Sequence, residues 1–267
     1  MEVTENTANV RIRALGGLDI TGGMFLRGPR RVRVAACREL LIGLIAAGLG
    51  GLPVWMLCEA LWPEAIAVDS CRALLATVQR LGRNLGCRAA VCMEAGRVRL
   101  NAARCWVDAW AFEEFVGRAL AAGDEVPPGD LLSALELYQG SLFGPSDSRL
   151  VRTARERLRR LYAHACFSAG RRMLRAGDVA GAIGLYERAL EREPSCEELY
   201  RALILAQAAC GQPSAACETY ERCRRSLQER FGTAPSTATA RARLEPCTPQ
   251  AGSGEGRGAL AASSASP

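Results

Sequence analysis

The stretch that decides the fold is GDVAGAIGLYERAL at residues 177–190, because it returns as GQPSAACETYERCR at residues 211–224. The two copies are offset by 34 residues. A period of this length is typical of stacked helical hairpins, since one hairpin alone cannot bury its apolar face. Such repeats bind partners and seldom carry out chemistry. We therefore predict an all-α repeat region whose packing positions are Ala182, Tyr186, Ala216 and Tyr220.

The N-terminal half has a different order of elements. A strand is predicted from Val10 to Ile20, with a turn at Gly22–Gly23 and a return strand at Met24–Leu26. Three helices are expected next, at about 34–47, at 54–61, and from a cap at Asp69 or Ser70 to about Leu85. A hairpin follows at residues 89–101 around the turn 94–96. This succession of sheet, three helices and hairpin predicts a winged helix.

The second and third helices have the positions of a helix-turn-helix, whose second member enters the major groove of DNA. The third helix has an apolar stripe formed by Leu74, Leu75, Val78, Leu81 and Leu85. Its polar side chains lie mostly off that stripe, and our candidates for groove contacts are Arg72, Gln79, Arg80 and Arg83. On the hairpin, Arg97 and Arg99 share one face and are candidates for wing contacts. The spacing agrees equally well with arginines that only solvate an ordinary helix and hairpin.

An enzyme is the function class that the sequence favours least. All 34 basic residues are arginine, so a phosphate-binding loop with its lysine is excluded. The single histidine, His164, lies inside a predicted helix and is not expected to act as an acid or base. We predict neither catalysis nor a cofactor.

The twelve cysteines do not indicate a metal or a disulfide framework. Cys87, Cys92 and Cys105 lack zinc-like spacing, and the sequence contains no C-x2-C pair. Three cysteines of the repeat region, Cys210, Cys217 and Cys223, fall at small apolar positions where cysteine packs as a hydrophobe. We therefore predict no metal site.

Charge and hydropathy indicate which partners the chain binds and where in the cell it is found. Of the net charge of +6, residues 1–110 carry +5 and the remainder +1, which fits a nucleic-acid reader joined to a protein-binding module. The longest apolar stretch, 40–61, is interrupted by glycines and Pro53, so no membrane segment is expected. The N-terminus MEVTENTANV is acidic and polar, unlike a secretory signal. We expect a cytoplasmic protein.

Several phrases in a fixed order resemble a known family. They are ALWPEA (60–65), CRALLATVQRLGRNLG (71–86), WVDAWAFEEF (106–115), ALELYQGSLF (134–143) and the segment 197–236 with its YERCR phrase. Together they resemble bacterial transcriptional regulators of the antibiotic-regulatory type. These join an OmpR-like winged helix to a bacterial transcriptional activator domain built on tetratricopeptide-like repeats. The likeness covers roughly residues 10–245.

The resemblance implies a mainly α fold and a DNA-binding function. We expect a disordered N-terminus at 1–9, a winged helix at 10–105, a tetratricopeptide-like activator domain at 106–245 and a disordered tail at 246–267. The implied partners are double-stranded DNA, RNA polymerase or another regulator, and a second copy of the chain. Family members bind DNA through the third helix, usually at direct repeats near promoters.

Two residues of the third helix depart from the family pattern. Leu75 and Gly82 stand where arginine or another polar residue is common, and a glycine inside a helix costs about 1 kcal/mol relative to alanine. An alternative function is therefore an interaction module, with tetratricopeptide-like repeats beside a degenerate winged helix that does not bind DNA. A third hypothesis is that the chain is a truncated relic of a larger regulator.

Overall fold

The structure, a computed structural model, describes residues 10–21, 35–123, 128–144 and 148–243. The predicted disordered ends and the predicted return strand at 24–26 lie outside these residues. The strands are β1 (Val10–Arg13), β2 (Asp19–Thr21), β3 (Leu52–Pro53), β4 (Val91–Glu94), β5 (Arg97–Leu100) and β6 (Cys105–Val107). The helices are α1 (Ala35–Ala47), α2 (Val54–Leu61), α3 (Ala67–Asn84), α4 (Asp108–Ala121), α5 (Pro128–Leu135), α6 (Arg152–Arg175), α7 (Val179–Arg192), α8 (Glu197–Ala209), α9 (Pro213–Phe231) and α10 (Thr237–Ala242).

The N-terminal sheet has the strand order β2-β1-β6, with β1 antiparallel to β2 and parallel to β6. The prediction of one strand from Val10 to Ile20 is wrong, because the chain turns between β1 and β2. Ala14 and Leu15 leave the sheet there, and their N–H groups donate to the carboxylate of Asp108 at 2.8 and 3.1 Å. Trp106 belongs to β6, and the helix α4 starts at Asp108.

The winged helix follows, and here the predicted order of elements is confirmed. Its three helices pack against a second sheet with the strand order β3-β5-β4. Helix α2 has the predicted bounds, whereas α3 begins at Ala67, before the predicted cap. Ser70 does not cap the helix, because its hydroxyl donates to the Ala67 carbonyl. Ala95 and Gly96 form the two-residue turn of the β4–β5 hairpin with φ of 48° and 71°.

The rest of the described chain is helical, and the two repeats fold as the hairpins α6–α7 and α8–α9. The 34-residue offset is kept in the backbone: Gly177 follows α6 with φ 80°, and Gly211 follows α8 with φ 71°. Three predicted packing positions, Ala182, Tyr186 and Ala216, are buried. The tetratricopeptide-like prediction is confirmed.

Other repeat positions differ from the prediction or complete it. Tyr220 is half-buried, and the guanidinium carbon of Arg243 lies 4.7 Å from its ring centroid. Cys223 is buried as expected. Cys210 and Cys217 are exposed, so the prediction that they pack as hydrophobes is wrong. Cys210 caps the C-terminus of α8, where the helix ends at the surface.

Most buried apolar residues form a continuous cluster that runs from Val10 in β1 to Leu227 in α9, and a second, small cluster contains Ile204, Ala216 and Ala242. Contacts from α1 join the winged helix to the helical region. The Trp110 indole N–H of α4 donates to the Ile45 carbonyl of α1 at 2.9 Å, and Gly43 of α1 lies against the Leu150 side chain. The predicted boundary between residues 105 and 106 falls inside β6.

Packing of α6 against α7 depends on a glycine. A β-carbon at Gly170 would overlap the ring of Tyr186, lying 2.7 Å from its Cε1 atom. Tyr186 is fully buried and its ring is a poor candidate for displacement. Gly170 therefore sets the distance between the two helices of the first repeat.

We predict that Gly170→Ala destabilises the protein by about 1–3 kcal/mol, because overpacking a buried contact costs more than the gain in helix propensity. Gly117→Ala is the matched control. Gly117 is exposed inside α4, and an added β-carbon there would have no neighbouring atom within 4 Å, so this change should stabilise by about 0.5–1 kcal/mol. Denaturant unfolding measures both. Equal effects of the two substitutions would contradict the prediction.

Candidate nucleic-acid interface

One side of α3 packs against the winged helix and the other is exposed. The buried side is formed by Leu74, Thr77 and Leu81. At 3.6 residues per turn, Arg72, Gln79 and Arg83 point within about 40° of one another on the opposite side. All three are exposed, and so is Arg80 at the edge of the same surface. The structure thus brings the four predicted groove residues of α3 together on one surface, which we call the α3 face.

The polar groups of the α3 face lack hydrogen-bond and ion-pair partners among the described residues. Across the residues that the structure describes, Arg72, Gln79, Arg80 and Arg83 make no hydrogen bond or ion pair with another side chain or with the backbone. Arginines elsewhere are used differently: Arg157 pairs with Glu113 at 2.6 Å. The α3 face therefore presents three guanidinium groups and one amide to the solvent.

The two predicted wing arginines are not part of the α3 face. Arg97 donates from Nε and Nη2 to the carbonyls of Gly50 and Gly51, at 2.9 and 2.8 Å. Arg99 pairs with Glu94 at 2.6 Å, and this hydrogen bond raises the pKa of its guanidinium. Arg97 therefore ties the hairpin to the turn before β3, and Arg99 is held along the hairpin.

The structure accounts for both departures in α3. The prediction that Leu75 belongs to the apolar stripe is wrong: it follows Leu74 by one residue, so it points about 100° away and is 49% exposed. Gly82 lies on the buried side, where a β-carbon would lie 3.2 Å from the Cα and O atoms of Arg88. A larger residue at 82 would push away the turn at 88–90, and it would not point out from the α3 face.

Sequence reasoning did not predict the exposure of four apolar residues in or next to α2 and α3. Val68 and Leu75 lie on the α3 face, Ile66 precedes α3, and Trp55 is at the start of α2; their exposures are 60, 49, 73 and 64%. Helical spacing alone would have found two of them. Positions 68, 72, 75 and 79 follow one stripe, so Val68 and Leu75 share a side with Arg72 and Gln79.

A concave surface lies between α6 and α8, in the repeat region. It encloses about 420 Å³. Phe167 and Leu205 are its exposed apolar residues, at 40 and 38%. Arg160, His164 and Arg201 also line it. We call this surface the repeat groove.

A reactive cysteine has a lowered thiol pKa, whereas the cysteine pKa values that shift in this structure are raised. Burial raises the pKa of Cys105 and of Cys196 to about 12, so both thiols stay protonated at neutral pH. Within the described ranges, no group of three or more His, Cys, Asp or Glu side chains is arranged to hold a metal ion. In the same ranges, every helix is too short or too polar to cross a membrane.

Comparison with known proteins agrees with this architecture. The family model of the bacterial transcriptional activator domain matches residues 107–245, just over half of the chain. Among solved structures, EmbR of Mycobacterium tuberculosis, in complex with a low-affinity phosphopeptide, is similar with a TM-score of 0.58 and 19% identity. The match covers 89% of this chain and 64% of the EmbR chain. No curated protein sequence matches significantly.

We predict that Arg97→Ala lowers the free energy of unfolding by about 1–3 kcal/mol, because two carbonyls lose a charged donor. Arg99→Ala removes the same charge from the same strand but breaks only an exposed ion pair, so its unfolding midpoint should equal that of the unaltered protein. Thermal or urea unfolding distinguishes them. Equal stability of the two variants would show that the Arg97 contacts contribute nothing.

Proposed function

The chain belongs to the bacterial transcriptional activator domain family, and from that premise we propose that it regulates transcription by binding double-stranded promoter DNA through α3. The observation that carries the proposal is the α3 face. Three arginines and a glutamine stand together there without intramolecular hydrogen bonds or ion pairs among the described residues. Phosphate oxygens and base edges are the partners that these groups bind in DNA.

In this proposal some residues of α3 contact base edges and others contact the phosphate backbone. Arg72, Gln79 and Arg83 lie along the middle of the exposed surface, where a helix in the major groove meets base edges. Arginine pairs with guanine and glutamine with adenine. Arg80 lies at the edge, which favours contact with a phosphate.

The wing residues have a smaller part in this proposal. Because the ion pair between Arg99 and Glu94 is exposed, Arg99 can leave Glu94 and pair with a DNA phosphate instead. Arg97 acts by holding the hairpin against the turn at Gly50 and Gly51. Direct contact of Arg97 or Arg99 with DNA remains a prediction.

We assign the protein contacts of the regulator to the helical domain, at about 106–245. Its repeat groove combines exposed apolar side chains with arginines, which is typical of surfaces that bind another chain. The partner in this proposal is a second copy of the chain, RNA polymerase or another regulator. The proposed function has no catalytic step, and it places the protein with the bacterial promoter in the cytoplasm.

The repeat groove also supports a second candidate function, an interaction module without DNA binding. In that case the winged helix is a scaffold and the groove alone binds a partner. The two candidates differ in the α3 face, because phosphate contacts make affinity fall with salt.

We predict that the protein binds DNA from its own upstream region with an affinity that decreases steeply with salt. Each neutralised phosphate releases about 0.9 counterions, so the variant Arg80→Ala/Arg83→Ala should reduce the slope of log K against log salt by about 1, through the loss of the Arg80 phosphate contact. It should also lose sequence preference if Arg83 contacts a base. Fluorescence anisotropy across a salt series measures both.

The matched control is Arg222→Ala/Arg225→Ala, which removes the same charge from exposed positions on α9. It should bind almost as tightly as the unaltered chain. No binding at low salt by the folded protein would overturn the proposal in favour of the interaction module. An equal loss in both double variants would show a nonspecific effect of net charge.

We predict that the protein self-associates through the helical domain, and that Leu205→Arg weakens this association by placing a charge in the repeat groove. Sedimentation velocity at micromolar concentration should show a species larger than the 28.6 kDa chain. Leu49→Arg is the control, since Leu49 is exposed outside the helical domain. A monomeric mass for the unaltered protein would contradict the prediction.

A further inference from the structure

Two apolar side chains stand among the polar groups of the α3 face. Val68 and Leu75 alternate with Arg72 and Gln79 along one stripe of the helix, at positions 68, 72, 75 and 79. Packing within the chain does not explain Leu75, which is 49% exposed while the adjacent Leu74 is fully buried. A leucine within a cluster of polar groups that have no partner in the described part of the chain calls for a partner that offers both polar and apolar atoms.

The major groove of DNA offers such a combination. Its base edges present hydrogen-bonding groups, and its apolar group is the C5-methyl of thymine. Glutamine binds adenine, and the thymine paired with that adenine presents its methyl in the same groove. Leu75 and Gln79 are four residues apart, about 6 Å along the helix. Successive base pairs are about 3.4 Å apart, so the two side chains lie within one or two base-pair steps of each other.

We propose that Leu75 determines specificity by packing on the methyl group of a thymine, at or beside the A·T pair that Gln79 contacts. The inference rests on the proposed binding of DNA through α3. An arginine at this position would favour guanine, which is the commonest base that arginine contacts. Leu75 thus directs this chain to a thymine-containing site.

The surroundings of Leu75 favour DNA over a protein partner. Arginine beside apolar side chains also occurs in protein interfaces, but each guanidinium buried there needs a partner of its own. Here Leu75 lies between Arg72 and Gln79 along the stripe, with Arg83 further along the same side. A protein surface packed on Leu75 would bury these groups, and each would then need its own partner. Base edges satisfy them and the leucine together.

The experiment removes the methyl group from the DNA. The full chain first selects its preferred sites from a random duplex library. In the enriched site, each thymine is then replaced singly by deoxyuridine, which keeps the base pair and lacks the methyl. The dissociation constant is measured for the unaltered chain, for Leu75→Ala and for Leu49→Ala, an exposed leucine of the turn at 48–50.

The expected result is a difference confined to one or two thymines. There, deoxyuridine weakens binding by the unaltered chain about fourfold, the factor that corresponds to burying one methyl group. Leu75→Ala binds the thymine and deoxyuridine sites equally, and Leu49→Ala behaves like the unaltered chain. Because Leu75 is half-exposed, Leu75→Ala should unfold at the same temperature as the unaltered chain. A merely structural role would not change the response to a single methyl group.

Each other outcome overturns a defined part of the proposal. If no sequence is enriched, DNA binding by α3 fails and the inference fails with it. If a site is enriched but deoxyuridine is tolerated at every thymine, or Leu75→Ala keeps the full sensitivity, only the role of Leu75 is overturned. If Leu75→Ala instead abolishes self-association and keeps the thymine preference, Leu75 belongs to a protein interface.

Discussion

The carboxylate of Asp108 is the contact around which the N-terminal half is assembled. It is buried, and it accepts hydrogen bonds from the backbone N–H groups of Ala14, Leu15 and Ala109. Burial raises its pKa, and these three hydrogen bonds act in the opposite direction. Because Asp108 stands where β6 becomes α4, the same carboxylate fixes the end of β1 and the start of the helical region. The winged-helix elements from α1 to β5 lie between β1 and α4 in the chain, so this contact fixes both ends of the segment that contains them.

Sequence reasoning succeeded where the signal is local. The bounds of α2 follow from the apolar run between Pro53 and Trp62, and the hairpin turn follows from Gly96. The 34-residue repeat likewise identified Tyr186 as a packing position. The parallel pairing of β1 with β6 was not predictable, because it joins residues 95 apart in sequence, such as Val10 and Cys105. The hydrogen bond from the Leu15 N–H to the Asp108 carboxylate was not predictable for the same reason, since these residues are 93 apart in sequence.

The candidate interface was predicted in part. The exposed polar residues of α3 were identified because they fall off the apolar stripe, as Arg72 does. Leu75 was misplaced because residue type was given more weight than the helical angle. The partners of Arg97 could not be predicted, since the Gly50 and Gly51 carbonyls reach it only through the strand pairing of β3 with β5.

The continuous core has a consequence for genetics. Residues from Val10 to Leu227 share one buried cluster, so the α3 face and the repeat groove rest on a common free energy of unfolding. A substitution at Tyr186, far from α3 in sequence, lowers the folded population that presents both surfaces. Loss-of-function alleles will therefore collect in the repeats as well as in the winged helix. Their phenotype will be reduced abundance of the protein, and suppressors will be stabilising changes anywhere in the cluster.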